Sequence, residues 1–168
     1  GDFDKAKEHV HLSVALNSNY AAPHNLLGTI LFREKEYINA EKEFIIATEV
    51  SRPSKLALHN LVGLYIITNQ LDKGVQLYDI IDNFKLSERE RKAFLTKIAY
   101  IHLKKKNKTE FLNVLQESMG NKPGPRDFLL ASNFFFKMNY NHIAIQLLSS
   151  AIQVFPEEKE LFLFLGVI

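Results

Sequence analysis

Residues 24–47 read HNLLGTILFREKEYINAEKEFIIA. The polar run Arg33 to Glu36 divides the stretch into two helices. Gly28 lies in the middle of the first, with Leu27 and Leu31 beside it at helical spacing. Tyr37 opens the second, and Ala40, Phe44 and Ala47 share one of its faces. Small residues let two helix backbones approach, and the large ones fill the space that remains. The unit is thus a helix pair, and the fold depends on how much of the chain copies it.

Working outward, small residues recur in each first helix at Gly28, Gly63, Ala99, Ser132 and Gly166, in steps of 35, 36, 33 and 34. A second series, early in each second helix, runs Ala6, Ala40, Gly74, Glu110 and Ala144, in steps of 34, 34, 36 and 34, with Glu110 the weak member. Two interleaved periods near 34 mark a repeat architecture. Residues 2–18 read as a lone second helix, with Phe3 in the place of Tyr37. Residues 21–53 are the best-formed pair, closed by Pro53, which lacks the N–H a helix interior requires. Residues 55–86 repeat it: HNLVG (59–63) echoes HNLLG (24–28), and Leu71, Gly74, Tyr78 and Ile81 stand for Tyr37, Ala40, Phe44 and Ala47. Residues 87–122 diverge most. Ser87 and Glu90 form a capping box there, and Lys104, Lys105, Lys106 and Lys108 crowd the end of a long first helix, where positive charge suits the dipole. The Pro/Gly loop from Asn121 to Pro125 is the clearest break. Residues 125–156 return to form, and residues 157–168 begin another first helix.

Composition agrees with helices. The 168 residues include only 7 Gly and 5 Pro, and no cysteine, so disulfide and thiolate chemistry are excluded. Lys and Arg number 21 against 19 Asp and Glu, a net +2, too little for a dedicated nucleic-acid binder. The longest apolar run, Leu161 to Ile168, is eight residues, against roughly 20 for a membrane span. Because Gly1 falls inside a repeat, the chain reads as a piece of a longer protein. Cytoplasm and bacterial periplasm both stay open.

Taken together, His24, Leu27, Gly28, Leu31, Ala40, Phe44, Ala47 and Pro53, repeated as Phe128, Ala131, Ser132, Phe135, Ala144, Leu148, Ala151 and Pro156, resemble the tetratricopeptide repeat. The resemblance covers the whole chain: four repeats between two half repeats, forming one solenoid over 1–168. It departs at His24 and His59, where His stands for an aromatic, and in the third repeat. It implies an all-α, right-handed superhelix of antiparallel helix pairs, first helices lining a concave groove. It further implies protein–protein scaffolding, with no cofactor and no catalysis by the repeats.

Alignment on the small residue gives the groove rows. Asn25, Asn60, Thr96 and Leu129 form the first; Thr29, Leu64, Tyr100 and Asn133 the second. Phe32, Ile67, Leu103 and Phe136 form the third, and Arg33, Thr68, Lys104 and Lys137 the rim. A side-chain amide both donates and accepts, so stacked Asn25 and Asn60 can bracket the backbone of an extended peptide; the alternative is that water is their partner. The third row is either an exposed stripe for a partner or packing between repeats. The cationic residues with which some tetratricopeptide domains hold a C-terminal carboxylate have no counterpart at Asn25, Thr29, Asn60, Ala93 and Thr96.

The histidines make no metal set. His9 and His11 lie on different helix faces, His24 and His59 replace packing aromatics, and His102 and His142 stand alone. No HExxH or Gly-rich phosphate loop occurs, and Glu157 with Glu158 reads as the acidic opening of a helix. Three functions follow: a non-catalytic scaffold binding a protein or peptide in its groove, one region of a larger enzyme or of a bacterial secretion or pilus assembly factor, and an RNA-binding helical repeat, which the charge disfavours. End-to-end self-association through Val10, Leu12 and Val14 at one end and Phe162, Phe164 and Leu165 at the other is also expected, since uncapped repeat ends expose apolar faces.

Overall fold

Short connections between successive helices set the architecture. In the computed structural model, which describes residues 2–166, the chain divides into two compact units, Gly1–Leu86 and Ser87–Ile168. The first holds α1 (Asp2–Leu16), α2 (Ala21–Arg33), α3 (Tyr37–Glu49), α4 (Lys55–Ile67), α5 (Leu71–Gln76) and a 3-10 turn at Ile81–Asn83. The second holds α6 (Glu88–Lys104), α7 (Lys108–Met119), α8 (Pro125–Lys137), α9 (Asn141–Val154) and α10 (Lys159–Leu165). The side chains of Phe3 and Ala6, on which the first half repeat was read, lie outside the described residues.

Four of the connections are one motif. Lys35, Asn69, Lys106 and Asn139 take left-handed backbone, with φ of 64°, 57°, 58° and 63°. In each, the next residue's N–H reaches back to a first-helix carbonyl: Glu36 to Leu31 at 2.9 Å, Gln70 to Tyr65 at 2.9 Å, Asn107 to His102 at 3.0 Å and Tyr140 to Phe135 at 2.8 Å. These bonds satisfy carbonyls that the helix end leaves orphaned. The turns are 34, 37 and 33 residues apart, and they give the true register.

That register corrects two positions. Seven residues before each turn stand Gly28, Val62, Ala99 and Ser132, all buried. Gly63 is one place off: it is half-buried, and a Cβ there would meet nothing within 4 Å. The echo of HNLLG in HNLVG is therefore displaced by one residue, and Leu58 takes the place of His24. Sequence periodicity could not locate this, because α4 buries Leu58, Leu61, Val62, Leu64, Tyr65 and Ile66 and is apolar nearly all round. Likewise Glu110 is exposed, and Phe111 takes the place of Ala40 and Ala144: each donates its N–H to the residue that opens the helix, Ala40 to Glu36 and Phe111 to Asn107. Gly166 also departs from the series, since it is exposed at the end of α10.

The second helix of residues 55–86 is shorter than expected. It stops at Gln76, and the chain continues through three-residue hydrogen bonds, such as Tyr78 to Val75 at 2.9 Å and Phe84 to Ile81 at 3.1 Å. Gly74, Val75, Asp79, Ile80 and Ile81 are poor helix formers, while Leu77, Ile81 and Phe84 still reach the core.

Each pair closes as small-against-large packing requires. A Cβ on Gly28 would stand 2.7 Å from the Phe44 ring, which is itself 1% exposed. Polar ties brace the first unit: Tyr65 on α4 donates to Glu41 on α3 at 2.9 Å, and Lys73 on α5 reaches the same carboxylate at 2.7 Å. Burial and the Glu41 carboxylate both push the Tyr65 phenol above its usual range. The second unit centres on Phe94, Leu95, Ile98, Ile101 and Phe135, with a further cluster of Met119, Phe128, Leu148, Ala151 and Leu161. Its α6 opens with the expected capping box: Glu90 donates its N–H to the Ser87 hydroxyl and accepts from the Ser87 N–H at 2.8 Å.

His102 gives this core a pH dependence. It takes the place held elsewhere by Leu31, Tyr65 and Phe135, is buried, and leaves Nδ1 without a partner. Burial is the main cause that holds its imidazole below the usual range; Glu110 works against this and Lys105 with it. The folded ring therefore stays neutral while the unfolded chain takes up a proton near its ordinary value of about 6.5. Stability should fall as pH drops from there toward the folded value, then level off. His102→Leu is expected to flatten that part of the stability–pH curve relative to the parent in urea titrations, and to raise neutral-pH stability by about 1 kcal/mol through loss of the orphaned nitrogen.

Candidate functional site

First-helix faces are where the sequence places the site, and each unit carries its own. In the first, α2 and α4 lie side by side. Asn60 donates from Nδ2 to Asn25 Oδ1 at 3.0 Å and lies 3.5 Å from the Thr29 hydroxyl, which itself donates to the Asn25 carbonyl at 2.8 Å. The predicted pair is thus in direct contact. Two functions stay unused within the described residues, the Asn25 amide nitrogen and the Asn60 amide oxygen.

The remaining residues fare unevenly. Arg33 and Ile67 are exposed, and Phe32 is half-buried with its ring 5.6 Å from that of Tyr37. Leu64 is fully buried, because the one-residue displacement of α4 turns it into the core. In the second unit Asn133 is half-buried and Lys137 exposed. Thr96 and Tyr100 are buried: the Thr96 hydroxyl donates to the Lys92 carbonyl at 2.8 Å, and the Tyr100 ring packs on Phe134, Phe135 and Tyr140. Neither is open to a partner. Phe136 stacks edge-on against Phe164 at 6.1 Å, so at this place the third row packs between helices. Leu103 lines a recess beside α7 and α9 rather than the α6–α8 face. Of the proposed apolar ends, Val10 is core, while Leu12 and Phe162 are exposed.

What the sequence reading missed in the second unit is a recess of about 490 Å³ between the opening turns of α6 and α8. Leu129 and Leu130 give it apolar wall; Arg89 and Arg126 are exposed on it. Lys92 spans the two helices, 2.8 Å from Asp127 and 2.9 Å from Glu88. Its hydrogen bonds to Asp127 and then Glu88 raise its pKa above the usual lysine range. One turn further along α6, burial holds the Lys97 ammonium below that range. The groove rows covered only the later turns of each first helix, so the start of the longer α6 fell outside them. The visible signal was the charge cluster Glu88 to Lys92 facing Arg126 and Asp127 one repeat later.

Among the described residues no group of three or more His, Asp or Glu side chains could hold a metal ion, and no helix is long and apolar enough to cross a membrane.

No family model matches the sequence, and no curated protein is similar to it in sequence. Solved structures are similar in fold. One is the crystal structure of YrrB, a tetratricopeptide-repeat protein with an unusual peptide-binding site; it is 13% identical, with a TM-score of 0.59 over 96% of this chain and 82% of its own. Another is PilF of Pseudomonas aeruginosa, 15% identical, with a TM-score of 0.56 over 97% of this chain and 73% of its own. The fold is thus the tetratricopeptide-type, all-α solenoid of helix pairs.

Proposed function

We propose that the chain is an interaction scaffold that holds an extended peptide segment of a partner protein on its first-helix faces. The observation that carries this reading is the contact of Asn60 with Asn25 across adjacent first helices, which leaves the Asn25 amide nitrogen and the Asn60 amide oxygen unused. A peptide backbone offers the complementary carbonyl and N–H at every residue, so binding of this kind tolerates many sequences. The peptide-binding site of YrrB supports the same use of the fold. In the second unit, Arg89 and Arg126 beside Leu129 and Leu130 suit a carboxylate next to an apolar side chain.

The test is selection of displayed random peptides, followed by titration of the best binder. Asn25→Ala with Asn60→Ala should weaken it at least about tenfold, or 1.4 kcal/mol, while the melting temperature stays within a few degrees of the parent, as expected for half-buried positions. Equal affinity of the double variant would remove this face from the account. Single-stranded RNA titrated in parallel should show no salt-dependent binding.

A further inference from the structure

The lysine run at the end of α6 is not used by the first-helix site. Two of its members, Lys106 and Lys108, line a separate recess of about 420 Å³ on the side of the second unit formed by α7 and α9. Its apolar wall is Leu103, Phe111, Leu112 and Ile143, of which Leu112 is half exposed to solvent. His142 and Gln146 complete the lining. Every ionisable group on it is therefore a cation or a histidine, and no carboxylate lines it. Glu110, the nearest acid along α7, is exposed, acts on His102 and does not line the recess.

The repeat itself does not generate this arrangement. The corresponding recess between α1 and α3 is about 290 Å³, and Glu36 and Glu43 line it together with Lys7, His11 and Lys42. There Glu43 lies 2.6 Å from His24. The α7–α9 recess is larger, more apolar and of one sign.

We propose that the α7–α9 recess docks a second peptide segment, one that carries a bulky apolar residue flanked by Asp and Glu. The apolar side chain fills the space against Phe111, Leu112 and Ile143, and the flanking carboxylates lie over Lys106, Lys108 and His142. Apolar burial supplies affinity, and the cations set the choice of sequence. This site is independent of the amide pair on α2 and α4, so the chain can hold two segments at once.

The probe is the fluorescein-labelled peptide EEDFLDEE, followed by anisotropy at low salt. Leu112→Asp, at an exposed position, should weaken it at least tenfold. Lys108→Glu with His142→Glu should do the same; both positions lie in the first turn of a helix, where an acid is tolerated. Lys106 is left unchanged because it holds a left-handed turn. Binding should weaken further as salt rises from about 0.01 to 0.1 M, where the screening length falls from ~30 to ~10 Å. Asn25→Ala with Asn60→Ala should leave it unchanged. The proposal is overturned if EEDFLDEE does not bind, if the control EEDSGDEE binds equally, or if the recess variants bind as the parent does. It is also overturned if the Asn25 and Asn60 variant loses the peptide, which would place binding on the first-helix face. Single-stranded RNA that binds where EEDFLDEE cannot compete would show the wrong class of partner and overturn it as well.

Discussion

Gly28→Val is expected to destabilise the first unit by about 3 kcal/mol, whereas Gly63→Ala, at the same letter of a near-identical motif, is expected to stabilise it by about 0.5–1 kcal/mol. The difference is geometric. A Cβ on Gly28 would stand 2.7 Å from Cδ1 and from Cε1 of Phe44. That ring is enclosed, with Ala40 and Ala47 fully buried on the same helix face, so it has little room to retreat. Gly63 faces open space, so Ala there relieves only the conformational entropy that glycine costs in a helix interior. Urea unfolding with hydrogen exchange on α2, α3 and α4 reads both signs. Phe44→Leu with Gly28→Val should lose less than the two single changes summed, because a smaller side chain makes room for the valine. A Gly28→Val protein as stable as the parent would mean that the helix pair does not close on this contact.

The same pair of glycines shows how far the chain could be read without coordinates. Helix class, turn positions and the small-against-large packing of α2 on α3 follow from residues that only one arrangement satisfies: glycine opposite phenylalanine, alanines spaced by helical turns, prolines after the pair. The displacement of α4 does not follow, since a helix apolar on nearly all sides offers no stripe to orient it. The true markers of register are Lys35, Asn69, Lys106 and Asn139, and two of the four are lysines, which carry no signature of left-handed backbone. The shortening of α5 was closer to legible, in Gly74 and the β-branched residues after it.

The candidate site inherits those errors in a definite way. Asn25 and Asn60 were paired by an alignment that is one residue out, yet they meet, because neighbouring first helices bring a residue close to both its equivalent and the next position along. Leu64 had no such margin: a core position mistaken by one place becomes a surface position on paper. Tyr100 was aligned in register with Thr29 and Asn133, and it is buried because its large ring packs on Phe134, Phe135 and Tyr140. Thr96 was lost differently, by burial of a hydroxyl that its own helix carbonyl satisfies. In the ion cluster, the Glu88–Lys92 pair was legible as an i,i+4 spacing, but nothing in one dimension says that α6 and α8 bring Lys92 within 3 Å of Asp127.

Phe135→Ala is expected to cost the second unit about 3–5 kcal/mol, a large share of the 5–15 kcal/mol typical of a whole domain. Phe135 has no exposed surface, and its ring lies 6.0 Å from Phe111 on α7, 6.4 Å from Tyr100 on α6 and 5.6 Å from Phe134 on its own helix. It is thus the side chain through which α8 packs on both helices of the preceding pair. Phe111 stands where the other pairs carry a small residue, so the space between α7 and α8 is filled by two rings instead of one, and no smaller side chain can reach across it. Phe135→Leu restores volume but not edge-to-face geometry, and should recover all but about 1–2 kcal/mol. Hydrogen exchange decides the mechanism: in Phe135→Ala, protection should fall first and together in α6, α7 and α8. If protection is lost in α8 alone, the ring serves only its own helix, and the pairs of this unit are held together by something other than the aromatic cluster.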